Sequence, residues 1–172
     1  MAYGPGNTHY KSTHGYVPGD TPLHVFCRQK WEEAALRFIA HASLEVLKKR
    51  NDQGHSGLWI AIDRGLSEVA MALFDKGAGE SDEHIATKRN PNHWTALHIA
   101  CFRHDHSGVA QRLLDRGADI NAVTRDHETA LHLAYWSALT PHIALLKKRG
   151  ADTDVRSLSG MTAVDMTDGI FI

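Results

Sequence analysis

Apolar residues along this chain fall in short stripes at helical spacing. Ala35, Leu36, Phe38 and Ile39 form one such stripe and predict a helix over about 32–41. Ahead of it, Thr21 reads as an N-cap and Pro22 as the first helical residue of a helix running to about Arg28, because a proline there loses no hydrogen bond. The same short pair returns at about 57–64 and 67–76, at 96–102 and 107–116, and at 130–137 and 141–149, with one more helix starting near Thr162. Ser67 and Thr140 are expected to cap the second helices of their pairs, and Ser43 an extra turn. Leu23, Leu58, Leu97, Leu131 and Val164 recur at one position and are expected to form an internal apolar ladder. No pair can bury its own apolar stripe, so neighbours must bury it for each other.

The period is visible in the residues themselves. Thr95-Ala96-Leu97-His98-Ile99-Ala100 returns as Thr129-Ala130-Leu131-His132-Leu133-Ala134 and as Thr21-Pro22-Leu23-His24-Val25-Phe26. It is weaker as Ser56-Gly57-Leu58-Trp59-Ile60-Ala61 and last as Thr162-Ala163-Val164-Asp165-Met166. The openings at 21, 56, 95, 129 and 162 are 35, 39, 34 and 33 residues apart. A closing turn recurs in phase as Gly77-Ala78, Gly117-Ala118-Asp119 and Gly150-Ala151-Asp152. A period of this size means a stacked array.

These two motifs resemble those of the ankyrin repeat, over roughly Gly19 to Met166. The resemblance implies an all-α ankyrin-repeat solenoid of helix–turn–helix units with β-hairpin-like fingers. It divides the chain into an irregular arm at 1–18 and an ankyrin-repeat domain at 19–172. The repeats fall at about 19–50, 51–89, 90–123 and 124–156, with a partial capping repeat at 157–172. It further implies that Thr21, Thr95 and Thr129 cap first helices and that His24, His98 and His132 bond to backbone in and between fingers. Asp119-Ile120-Asn121, with Leu113 upstream, resembles the ankyrin site used by asparagine hydroxylases in animals. Gly19, Gly54 and Gly160 precede their openings by two residues, where the finger turn favours φ > 0; His93 and His127 stand there instead. The polar stretch 79–92 exceeds the period and reads as an enlarged finger.

Charge adds an exclusion. With 19 basic and 20 acidic residues the net charge is −1, and the electrostatic footprint of a nucleic-acid binder is missing. Lys48-Lys49-Arg50 and Lys147-Lys148-Arg149 lie near helix C-termini, where cations complement the dipole. Cys27 and Cys101 are expected to be reduced, buried thiols. No apolar run is long enough for a membrane span. The expectation is a monomeric protein of the cytoplasm, or of the nucleus, with no membrane partner, no metal and no cofactor.

Function is expected on one face. Ankyrin repeats bind protein partners on the concave side, through finger tips and the exposed end of the first helix. Carried onto this chain, the partner-binding set is Asp63, Arg64, Trp94, Phe102, Arg103, Arg125, Asp126, Glu128 and Trp136. Large aromatics clustered with arginine have the composition of a binding hot spot. The leading expectation is a non-enzymatic adaptor or scaffold gripping another protein across repeats two to four. The rival is a small-molecule binder or recruited enzyme with an aromatic pocket walled by Trp94, Phe102 and Trp136. His93, His104, His106 and His127 would then supply acid–base groups, since imidazole titrates near neutral pH. His127-Glu128-x-x-x-His132 is not a zinc motif, because its histidines are five apart and do not share a helix face.

Overall fold

The computed structural model describes residues 17–78, 93–103 and 107–168, without the side chains at 103, 107, 167 and 168. Ten helices lie in this part: α1 (Pro22–Arg28), α2 (Glu32–His41), α3 (Leu44–Leu47), α4 (Gly57–Arg64), α5 (Ser67–Asp75), α6 (Ala96–Arg103), α7 (Ser107–Asp115), α8 (Ala130–Trp136), α9 (Thr140–Lys148) and α10 (Asp165–Asp168). The inner helices α1, α4, α6, α8 and α10 contact one another in sequence order, and the outer helices α2, α5, α7 and α9 do the same. The result is a two-layer solenoid of paired helices. Among the described residues the only β-pairing is an isolated antiparallel bridge between Arg50 and Ser56.

One helix-end device recurs. After α1, α4 and α8 the chain turns through a left-handed residue, Lys30 (φ 58), Gly65 (φ 81) or Ala138 (φ 53). The next N–H then reaches back five residues, from Trp31 to Phe26, Leu66 to Ala61 and Leu139 to Ala134, at 2.9, 2.8 and 3.0 Å. These are Schellman closures, which satisfy the last carbonyls of a helix. The same closure ends the outer helices at Gly77, Gly117 and Gly150, where Ala78, Ala118 and Ala151 donate to Leu73, Leu113 and Leu146. This turn overrides the expected caps: Ser67 and Thr140 are the first residues of α5 and α9, and the capping positions belong to Leu66 and Leu139. The reason is packing, since the turn directs the capping residue inward and Leu66 is buried. Ser43 does cap α3, accepting from the Val46 N–H at 3.5 Å.

The ladder is buried at Leu23, Leu58, Leu97 and Leu131, but not at Val164, which is 45% exposed. Each ladder leucine needs a following repeat. Leu23 shows how: a Cβ added at Gly57 would meet its Cδ2 at 2.4 Å, so only a glycine lets α4 come this close. The equivalent residues Ala96, Ala130 and Ala163 are small and buried. No repeat follows α10 among the described residues, so Val164 stays outside. Full burial of a leucine side chain is worth about 1.5–3 kcal/mol, which makes this ladder a main source of cohesion.

Hydrogen bonds tie the layers in phase. His98 Nδ1 accepts from the Thr95 N–H at 3.0 Å and lies 2.8 Å from its hydroxyl, while Nε2 meets the Ala122 and Glu128 carbonyls at 3.0 and 3.2 Å. Thr21–His24 reaches the His55 carbonyl in the same way, and Thr129–His132 the Met161 carbonyl. On the outer row, Lys76 and Arg116 donate to the Ala40 and Phe74 carbonyls of the preceding helices, and Arg149 pairs with Asp115 at 2.7 Å. These cations sit at helix C-terminal ends, where the dipole favours them.

A denser network holds the first repeat. The Asp20 carboxylate is fully buried and accepts from Arg28 at 3.0 and 3.1 Å, from Asn51 Nδ2 at 2.9 Å and from the Val17 N–H at 3.0 Å. Cys27 and Cys101 are free and buried, and burial pushes both thiols up to about 12.

Two predictions follow from these buried groups. Asp20→Ala strands the Arg28 guanidinium, whose side chain is only 14% exposed. Breaking a buried pair in this way costs about 3 kcal/mol, whereas Arg37→Ala, at an exposed pair, should change stability by under about 0.5 kcal/mol. Urea unfolding of the two variants measures the contrast, and equal midpoints would refute it. The second concerns acid. Burial holds His98 at about 4 and His55 at about 4, and it also lowers His24 and His132. Below the ordinary imidazole value of 6.5 the unfolded chain binds protons that the folded chain refuses. Stability is therefore complete above pH 6.5 and falls toward pH 4, by up to about 1.4 kcal/mol per pH unit for His98 alone. Melting temperatures flat across that window would contradict the assignment.

Candidate functional site

Three of the fingers that join successive repeats are hydrogen-bonded hairpins. Asn51, Thr124 and Ser157 donate their N–H groups to the carbonyls of His55, Glu128 and Met161 at 3.0, 2.9 and 2.9 Å. Inside two of these turns a side-chain oxygen gathers the loop N–H groups: Asn51 Oδ1 accepts from Gln53 and His55, and Thr124 Oγ1 from Asp126 and Glu128. Neighbouring tips are tied by backbone, Asp52 to Pro18 at 3.0 Å and Leu158 to Asp126 at 2.9 Å. The tips of the first and second repeats, and those of the fourth and fifth, are thereby held in register.

His93 and His127 take the left-handed turn positions with φ of 53° and 61°, in line with Gly54 at 77° and Gly160 at 80°. A non-glycine residue there costs of order 1 kcal/mol. Both imidazoles are exposed, and no hydrogen bond joins them. His104 and His106 lie outside the described residues.

In two repeats the residue before the opening Thr faces the residue seven beyond that Thr. In the first repeat they are Asp20 and Arg28, the buried ion pair. In the third they are Trp94 and Phe102, whose rings meet edge to face at 5.0 Å between centroids. Both of these aromatics are half-buried. Trp94 packs on the core, while Trp136 stands 43% exposed. The Ser137 hydroxyl donates to the Phe102 carbonyl at 2.8 Å and sets the end of α8 beside the end of α6.

The charged members divide. Asp63 and Arg64 pair at 3.8 Å. Arg125 and Asp126 are exposed at the finger tip, and Glu128 is half-buried at the finger base. Burial, then the neighbouring Asp126 charge, pushes the Glu128 carboxyl above its usual range. The Arg103 side chain lies outside the description. Leu158, 72% exposed on the next fingertip, and Met161, 38% exposed, extend the surface; sequence reasoning passed over both. Their signal was an apolar residue at a fingertip position that is charged in Asp52 and Arg125. In the second repeat His55 stacks on Trp59 at 3.8 Å with ring planes 3° apart. At the other finger end, Asn121 Oδ1 accepts from the Asp152 N–H at 2.9 Å, joining consecutive repeats. No group of three metal-ligating side chains occurs, and no helix is long and apolar enough to cross a membrane, among the described residues.

Comparison with known proteins agrees with this geometry. A family model described as ankyrin repeats, three copies, matches residues 78–157. The chain is 28% identical over 141 residues to B-cell lymphoma 3 protein homolog of Mus musculus, covering 81% of this chain and 30% of that protein. It is 29% identical over 154 residues to the human ankyrin repeat and SOCS box protein 16, covering 86% and 32%. Against the human NF-kappa-B inhibitor epsilon the identity is 31% over 158 residues, covering 84% and 30%. The chain thus spans about a third of the length of these relatives. Ankyrin repeats mediate protein–protein interaction. Because one repeat accounts for the helix rows, the finger register and the span shared with these relatives, the chain belongs to the ankyrin-repeat family.

Proposed function

We propose that this chain is a non-enzymatic protein-binding module that grips a partner on the concave finger and inner-helix face of repeats two to four. The repeats are taken at 51–89, 90–123 and 124–156. It works as a single copy in a reducing compartment, where its two cysteines stay free. The observation that carries the reading is Trp136. A tryptophan 43% exposed, one repeat along from the Trp94–Phe102 edge pair, serves no core. Exposed aromatic surface beside charged finger residues is the composition of an interface centre. Asp63, Arg64, Arg103, Arg125, Asp126 and Glu128 form its polar rim in this proposal.

No observation favours the enzyme reading over this one. His93 and His127 sit where backbone conformation dominates, and neither is bonded to an acid or a nucleophile among the described residues.

Truncating one central tryptophan of such an interface costs about 2 kcal/mol or more of binding, roughly thirtyfold. A surface substitution costs stability within about 0.5 kcal/mol. Trp136→Ala should therefore remove binding of a purified partner, measured by calorimetry, while the melting temperature barely moves. Loss of fold in Trp136→Ala would make the residue a core residue and take this face out of consideration. A catalytic activity lost in His93→Ala or His127→Ala but only weakened in Trp136→Ala would favour the enzyme instead.

A further inference from the structure

We infer that the fourth repeat receives an arginine side chain of the partner, held between the Glu128 carboxylate and the ring of Trp136. This rests on the concave-face reading above and names the chemistry of what that face takes.

The first repeat supplies the template. Its facing positions are Asp20 and Arg28, a carboxylate and a guanidinium joined by two hydrogen bonds at 3.0 and 3.1 Å. The third repeat shows that the same offsets bring side chains into contact when both are aromatic, at 5.0 Å. The fourth repeat carries Glu128 and Trp136 at these offsets. Its frame is the same: Thr124 N–H bonds to the Glu128 carbonyl at 2.9 Å, as Asn51 does to His55 at 3.0 Å, and α8 starts directly after Thr129. So the carboxylate of the template is kept, and a tryptophan stands where the template has its cation.

Among the described residues that carboxylate has no cation of its own. The ion pairs among the described residues are Arg28–Asp20, Arg37–Glu33, Arg64–Asp63, Arg112–Asp75 and Arg149–Asp115. None includes Glu128 or Asp126, although Arg125 lies on the same finger. Glu128 is half-buried, so its charge is partly desolvated, and the adjacent Asp126 adds repulsion; an arriving cation relieves both. The exposed face of Trp136 attracts the same group, since tryptophan is the best ring for a cation. Arginine suits this better than lysine, because its planar fork both bonds a carboxylate at two points and stacks on an aromatic ring.

The test uses peptides selected from a random library on the immobilised protein, counter-selected against Trp136→Ala and resynthesised for affinity measurement. Arginine should be enriched. Replacing that arginine by citrulline, its neutral isostere, should weaken binding about tenfold, and Glu128→Gln in the protein should do the same. The two changes together should lose little more than either alone, because they remove one interaction. Circular dichroism and melting should show Glu128→Gln folded, since no hydrogen bond of this side chain holds the structure among the described residues. Peptides that need Trp136 but tolerate citrulline and Glu128→Gln would overturn the arginine inference and leave the concave-face reading standing. Peptides insensitive to Trp136→Ala as well would overturn both. Failure of the library to yield any peptide for this face would count against the inference too.

Discussion

The stack depends on a side chain that bonds in two directions at once. In three repeats an imidazole uses Nδ1 on its own opening threonine and Nε2 on a carbonyl of the next finger, 24 to 31 residues along the chain. A ring with two nitrogens on opposite sides can do this while buried and neutral. The residues that replace it show what the second nitrogen adds. Asp165 takes the Thr162 N–H and hydroxyl at 2.8 and 2.7 Å but serves only the near side. Trp59 leaves capping to Ser56, at 3.2 Å, and its indole stacks on His55.

Around these relays the apolar ladder does most of the stabilising, and the outer ion pairs do little. Arg112–Asp75 and Arg149–Asp115 have exposed members, and pairs of that kind are worth about 0–1 kcal/mol. Their regular reach from one outer helix to the one before it matters more for phase than for strength. The buried Asp20–Arg28–Asn51 network is different in kind, because no water is at hand to replace a lost partner. It closes the first repeat's facing positions completely, while the third fills them with half-buried aromatics and the fourth leaves an exposed tryptophan. Among the described residues these positions are thus sealed in the first repeat, half-buried in the third and most exposed in the fourth.

The repeat explains why so much of this could be read in advance. Helix pairs, inner threonine caps and the glycine closures recur in phase, and a residue that recurs at one position meets the same neighbours each time. The left-handed turn at His93 and His127 was legible for that reason, from the glycines at the equivalent places. The outer-helix starts were misread because Ser67 and Thr140 have good capping chemistry, and only the closure behind α4 and α8 moves that position one residue back.

By itself, then, the sequence determined the array: its period, its all-helical class, its ladder positions and the aromatic residues that stand outside the pattern. These follow from local spacing and from steric rules that act within a repeat. Tertiary structure alone decided how exposed each of those residues is. Val164 occupies a ladder position yet lies open, because burial is conferred by a neighbouring repeat and not by the residue. Trp94, Phe102 and Trp136 look alike in the chain, but the first two cover each other while the third is left in solvent. Asp20 and Arg28 gave no sign of being a buried pair, since their contact depends on the finger folding back over the end of the inner helix.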